Sequence, residues 1–272
     1  MKPNESFLHQ SAEFWAIVRY ASEQLKYSKR AKRGSKVKKL RRYTLDEMAK
    51  FSVTLGIDDE IIGKAHKYMN YRAEILESTV RDQLMKRSQA ARVFKELRAT
   101  HNPKCYLPRN KQKGKKKHYS YFTCIVNILT EQCLGADSFV DNPGQLPIVR
   151  DPAGKLVKTL SRRIDGAFPT LDSPMALWEI KEYYGTTTFG SRVADAVYET
   201  QLDGYELREA ESITGHGIYH YLLVDDRFTW WDCGRSYLCR LVDITHMGLV
   251  DEVIYGREVT DRWPEIVRSW VE

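Results

Sequence analysis

Over its first hundred residues the chain repeats its apolar positions at helical spacing. Between Ala12 and Leu25, the residues Phe14, Ile17, Val18 and Ala21 fall on one side, which predicts an amphipathic helix. Thr44 is placed to cap a second helix, with Glu47 three residues on to complete a capping box. That helix runs through Met48, Phe51 and Val53 and stops near Gly56. Asp58 caps the next, which carries Ile61, Ile62, Ala65 and Tyr68, and a longer helix is expected from Tyr71 to Leu97. Helix, short turn at Leu55-Gly56, helix resembles a DNA-binding helix-turn-helix superficially, but Ala49 and Gly56 stand too far apart for that motif. A helical module packed on the rest of the chain is the expectation.

The pattern then changes. Asn102-Pro103 and Pro108, followed by a lysine-rich run, mark a boundary, so the chain divides into a helical region at 1–108 and a second region at 109–272. In the second region a helix is expected over His118 to Leu134, then a loop from Gly135 to Gly154. Strands are expected at about 155–168 and 175–184, a helix from Ser191 to Leu207, and a strand over 218–224. Helices from Ser236 and over Trp263 to Val271 close the chain. The fold class is α/β (α+β), with a mixed central β-sheet flanked by helices. No internal repeat is apparent.

Charge adds a partner to this picture. The formal net charge is +7, but residues 26–42 hold ten Lys or Arg and no acid, and residues 109–118 hold six more. The remaining 27 basic residues face 36 acids, so the rest of the chain is net negative. Basicity confined to two short segments suits contact with a nucleic-acid backbone, where each neutralised phosphate releases counterion. Lys36, Lys38 and Lys39 in the first run, and Lys115 and Lys116 in the second, are the candidate backbone contacts. Neither run continues into an apolar amphipathic face, so no membrane partner is expected.

Cys105, Cys124, Cys133, Cys233 and Cys239 form no CxxC pair and no zinc spacing. An odd number of cysteines and no hydrophobic leader behind Met1 predict a cytoplasmic protein with its cysteines in the core. His216, His220 and His246 also lack metal-ligand spacing, and His220, on an apolar strand, is expected to be a core histidine. Trp230-Trp231, at a strand end, is expected in the core as well.

The candidate chemistry lies in Arg163-Ile164-Asp165-Gly166-Ala167-Phe168 and in Ala176-Leu177-Trp178-Glu179-Ile180-Lys181-Glu182. Side chains at i and i+2 of a strand share a face, so Glu179 and Lys181 project together, while Trp178, Ile180 and Glu182 take the other side. Pro169, Asp172-Ser173 and Pro174 are turn signals, and a hairpin through them brings Asp165 alongside. Two carboxylates and one ammonium then converge at a sheet edge, a place for a hard divalent metal.

This arrangement resembles the PD-(D/E)XK nuclease superfamily, the fold of most Type II restriction endonucleases. Asp165 matches the first acid, Glu179 the second and Lys181 the lysine; Ile164 stands where many members carry proline. The resemblance covers roughly residues 119–225 and rests on a short motif. It implies a restriction-endonuclease-like core within 109–272, with Mg2+ held by Asp165, Glu179 and the Ile180 carbonyl and with Lys181 polarising the attacking water. Family members often carry a further acid on the preceding helix, for which Glu131 is the candidate by position. Gln201 and Tyr205 resemble the Q-x-x-x-Y element of RecB-like nucleases. The implied activity is Mg2+-dependent, sequence-specific cleavage of double-stranded DNA by a homodimer. A structure-specific repair or recombination nuclease of the same fold and a non-catalytic nucleic-acid-binding protein are the alternatives.

Overall fold

The computed structural model describes residues 1–28, 39–112, 115–184 and 191–272, so Lys36 and Lys38 lie outside the described residues. Helices α1 (Ala12–Leu25), α2 (Leu45–Leu55) and α3 (Asp59–Ile75) form the N-terminal part. The capping signals act as expected. The Thr44 side chain accepts from the Glu47 amide while Glu47 reaches back, Gly56 ends α2 in the left-handed region, and Asp58 caps α3. Phe14, Ile17, Val18, Met48, Ile62, Ala65 and Tyr68 make one apolar core there.

The expected single helix over Tyr71 to Leu97 is not formed. Helix α3 continues through Tyr71, passes a π-helical turn at Leu76–Val80 and the short α4 (Arg81–Gln83), and breaks before α5 (Arg87–His101). The break is tertiary in origin: the Met85 amide donates to Asp225 Oδ1 at 2.8 Å and its carbonyl accepts from the Arg227 amide at 2.9 Å. Those bonds replace the helical ladder at a point where the local sequence contains neither Gly nor Pro.

The lysine-rich run forms a hairpin of β1 (Arg109–Gln112) and β2 (Lys115–Tyr119), which shortens the next helix, α6, to Tyr121–Leu134. Strands β3 (Ile148–Arg150) and β4 (Leu156–Thr159) pair as a second hairpin. The stretch read as one strand at 155–168 is therefore two, β4 and β5 (Gly166–Phe168). The principal sheet has the order β5-β6-β7-β8, with β6 at Ala176–Glu182, β7 at Tyr219–Asp225 and β8 at Glu252–Tyr255. Strand β5 is antiparallel to β6, and β6, β7 and β8 are mutually parallel, so the sheet is mixed. Strand β8 was not expected from the sequence.

Helices cover both faces. Trp178, Ile180, Tyr221, Leu223 and Ile254 pack against α6 and the C-terminal α9 (Val259–Arg268). Leu222, Val224 and Val253 pack with Val193 and Val197 of α7 (Ser191–Thr214) and with Leu238 and Leu241 of α8 (Arg235–His246). The protein is thus a mixed α/β fold with a small central sheet between helical layers. Trp230 and Trp231 are core residues, and so are Cys124 and Cys239, whereas Cys233 is exposed. Among the described residues no helix is long and apolar enough to cross a membrane.

Helix α7 runs two turns past Leu207, to Gly215 at φ +71°. Gly204 in its middle is a packing requirement, because a Cβ there would overlap the Leu249 carbonyl oxygen and lie 2.6 Å from the Leu249 Cβ. Alanine normally gains about 1 kcal/mol over glycine inside a helix. Here overpacking of about 1–3 kcal/mol opposes that gain, so Gly204→Ala is expected to lower the melting temperature. A higher one would show that α7 can move off Leu249.

Asp225, at the end of β7, is fully buried, and burial pushes its carboxyl up to about 8. It accepts from the Tyr184 hydroxyl and from the Met85 and Asp226 amides, which hold it partly back. A carboxyl raised on folding contributes stability that is whole below the ordinary carboxylate range and is lost as pH rises through about 8. Urea titrations are therefore expected to give a smaller unfolding free energy at pH 8.5 than at pH 5.5, with a shallower pH slope in Asp225→Asn. An equal slope in the variant would place the titration elsewhere.

Candidate functional site

The β5–β6 hairpin forms as its prolines predict. Gly166 pairs with Trp178 and Ala167 with Leu177, and one residue earlier the Asp165 amide donates to the Trp178 carbonyl at 3.2 Å. Gly166 leaves room for the Trp178 ring, which any Cβ at that position would strike. Asp165 is thereby held beside β6, where its Oδ2 accepts from the Ile180 amide at 2.7 Å. Strand alternation sends Trp178 into the aromatic cluster with Trp263 and Trp270, and turns Glu179 and Lys181 towards α7.

Glu179 is 1% exposed, and its Oε1 meets both Arg162 Nη2 and Lys181 Nζ, the latter at 3.1 Å. Lys181 also reaches Glu199 Oε2 at 2.7 Å. Arg162, on the loop between β4 and β5, bonds Asp203 Oδ2 at 2.7 Å and approaches Glu199 Oε2 at 3.4 Å. The site thus gathers four carboxylates, Asp165, Glu179, Glu199 and Asp203, around two cations, Arg162 and Lys181. Glu199 and Asp203 are i, i+4 on α7, one face of the helix that follows the site strands. That acidic pair is the signal that could have found them from sequence; Arg162, on an irregular loop, leaves no comparable signal.

The electrostatics separate the two central acids. Burial first, and then the adjacent Glu179 charge, push the Asp165 carboxyl well above the usual range. Burial also opposes ionisation of Glu179, but Lys181, a hydrogen bond from Asp165 and Arg162 outweigh it and hold that carboxyl below its ordinary value. The Asp165 carboxyl is thus disposed to keep its proton beside an ionised Glu179. Burial likewise lifts Asp203 to about 7 against the pull of Arg162. Lys181 stays a cation, since the charges of Glu179 and Asp165 outweigh its burial.

Apart from the Asp165 carboxyl beside Glu179, three buried acceptors around this cluster meet no donor among the described residues: Glu179 Oε2, Asp203 Oδ1 and His220 Nε2. His220 Nδ1 lies 2.7 Å from the Leu249 carbonyl, which can only accept, so this nitrogen carries the proton and Nε2 presents a lone pair. The expectation of a core histidine holds for position but leaves one ring nitrogen unsatisfied. A cation would answer such a set of acceptors. Asp165 and Glu179 fit a hard divalent ion, which needs only one or two carboxylates and keeps its waters. Among the described residues, however, no three His, Cys, Asp or Glu side chains gather as a ready metal cage.

The remaining candidates lie apart in their bonding. Glu131 accepts from the Lys104 and Cys105 amides at 3.0 and 3.3 Å and so anchors the turn before the basic hairpin. Gln201 Nε2 lies 3.5 Å from the Tyr205 hydroxyl and lines an outer groove with Arg19, Tyr27 and Arg240. Neither is bonded to the acidic cluster. Glu182 caps α6, accepting from the Thr123 amide at 2.9 Å, and burial raises its carboxyl to about 7. Lys39 is exposed, and Lys115 and Lys116 lie on β2.

Residues 85–270, which hold the whole site, match the model of a domain of unknown function, DUF7687. The chain belongs to the DUF7687 family. Residues 1–79 match a second domain of unknown function, DUF7690. The DUF7687 segment therefore begins at the break before α5 and includes both hairpins, the principal sheet and α6 to α9. No curated protein and no solved structure matches the chain.

Proposed function

We propose that this DUF7687 protein is a Mg2+-dependent endonuclease of the PD-(D/E)XK type that cuts double-stranded DNA at a specific sequence, as Type II restriction enzymes do. The observation that carries the reading is the convergence of Asp165, Glu179 and Lys181 on strand β6, with Asp165 bonded to the Ile180 amide and Glu179 to Lys181. The mixed sheet between helical layers is compatible with a restriction-endonuclease-like core.

In this reading Asp165, Glu179 and the Ile180 carbonyl would hold Mg2+, which would supply Lewis acidity towards the phosphate and a water. Asp165 is oriented for this by the Ile180 amide, and Glu179 by Lys181 and Arg162. Lys181, held as a cation, orients the water and offsets charge developing on the phosphate rather than accepting a proton. Desolvation of Glu179 and Asp203 strengthens each of these interactions. A homodimer would present one such site to each strand of a palindromic sequence.

The test is incubation of purified protein with circular plasmid, with and without Mg2+. Discrete bands that require Mg2+ are expected. A smear would favour a structure-specific repair nuclease of the same fold. No cleavage would favour the reading of a non-catalytic nucleic-acid-binding protein, for which Arg162 is the specific observation: its bonds to Glu179 and Asp203 also make sense as a purely structural ion-pair network.

A further inference from the structure

We propose that Arg98, Arg109 and Tyr119 form a seat for a backbone phosphate of the nucleic acid, at the foot of the basic hairpin and next to the strand that carries Lys181. The inference rests on the nucleic-acid reading above and adds the residues that hold the substrate.

Arg98, in the last turn of α5, and Arg109, opposite Tyr119 in the β1–β2 register, both donate to the Tyr119 hydroxyl, at 3.2 and 3.1 Å. Their guanidinium carbons lie 5.2 and 4.6 Å from the centre of its ring. The ring is steadied from below by Phe94, 5.0 Å away between centroids. Two like charges are thus drawn to one neutral oxygen. Among the described residues neither guanidinium has a carboxylate within ion-pair distance, and the segments outside the description contain no Asp or Glu. An anion completes such an arrangement. Two planar guanidinium forks flanking a hydroxyl match the several acceptor oxygens of a phosphate better than the single acceptor they now share. The same two arginines make the Tyr119 hydroxyl more acidic than an ordinary phenol, the hydrogen bond from Arg109 being the largest cause.

Position selects a polymer rather than a free phosphate. The foot of the hairpin is tied to the end of β6: Asn110 Nδ2 donates to Glu182 Oε1 at 3.1 Å, and Asn110 Oδ1 accepts from Ser120 at 3.0 Å. Glu182 directly follows Lys181, so the foot of the hairpin is tied to the strand that carries the acidic cluster, on its opposite face. In sequence, strand β2 also carries Lys115, Lys116 and Lys117, a density of positive charge that suits the closely spaced phosphates of a duplex.

The experiment uses the full chain carrying Glu179→Ala, so that binding is read without cutting, and a fluorescent duplex followed by anisotropy across a salt series. Arg98→Gln with Arg109→Gln is expected to weaken binding and to reduce the slope of log K against log salt by about 0.9, the release expected for the one phosphate contact that the seat makes. A control pair, Arg81→Gln with Arg150→Gln, removes as much charge from arginines already paired with Asp82 and Asp172, and is expected to leave the slope unchanged. Circular dichroism checks that each variant is folded. Equal affinity and slope in the Arg98/Arg109 variant and its parent overturn the seat while leaving the nucleic-acid reading intact. A parent that binds neither duplex nor single strands overturns both.

Discussion

Glu179→Ala is expected to lower duplex cleavage by at least about 10²–10³-fold, the usual loss when one preorganised electrostatic contact to a transition state is removed. The same variant should keep its affinity for DNA, because Glu179 is 1% exposed and belongs to the floor of the site rather than to its surface. Both numbers come from one preparation, cleavage from plasmid digestion and affinity from anisotropy. Glu179 also carries structural bonds: its loss leaves Lys181 with Glu199, and Arg162 with Asp203 and Glu199. Glu179→Gln is the companion, since it keeps the volume and one acceptor while removing the charge. Loss of cutting in both, with an unchanged thermal transition in the Gln variant, is the expected pattern. Full activity in either would remove Glu179 from the chemistry.

The second large effect concerns stability. Asp243 of α8 accepts two bonds from Arg72 Nη1, at 2.9 and 2.8 Å, and one from the Tyr68 hydroxyl at 2.7 Å, while Arg72 Nη2 donates to Ser22 Oγ at 3.0 Å. Arg72 is 1% exposed. Asp243→Ala therefore strands a buried guanidinium and is expected to cost about 3–5 kcal/mol, as breaking one side of a buried pair generally does. Denaturant unfolding measures the cost. Replacing both partners, Arg72→Met with Asp243→Leu, should recover most of it, since two apolar groups strand no charge. If the double variant is as unstable as the single, the loss comes from packing rather than from the orphaned charge.

Local signals were the legible part of this fold. Thr44 with Glu47, Gly56, Asp58 and the apolar stripe of α1 each act within one turn, and each behaves as its residues imply. The β5–β6 hairpin was legible for the same reason, and with it the meeting of Asp165, Glu179 and Lys181. What the sequence hid is set by distant partners. Glu252–Tyr255 is too short to read as a strand until β7 lies beside it, and the break at Leu84–Lys86 exists because Asp225 and Arg227 take the backbone of Met85. Arg162 joins the site through a loop whose course depends on Ser161, whose amide and hydroxyl bond Glu206. Glu199 and Asp203 were legible only as an i, i+4 acidic pair, and assigning them to the site required knowing which face of α7 meets the sheet.

The Arg72–Asp243 contact also has a bearing on inheritance. Arg72 lies in the segment matched by DUF7690 and Asp243 in the segment matched by DUF7687, so among the described residues the ion-pair partner of each buried charge lies in the other module. A DUF7687 segment keeping Asp243 and joined to a different N-terminal partner would fold well only if that partner supplied a cation at the same depth. Shuffling the two modules is thus constrained by electrostatics, and substitutions at residues 72 and 243 should be tolerated together far more readily than apart.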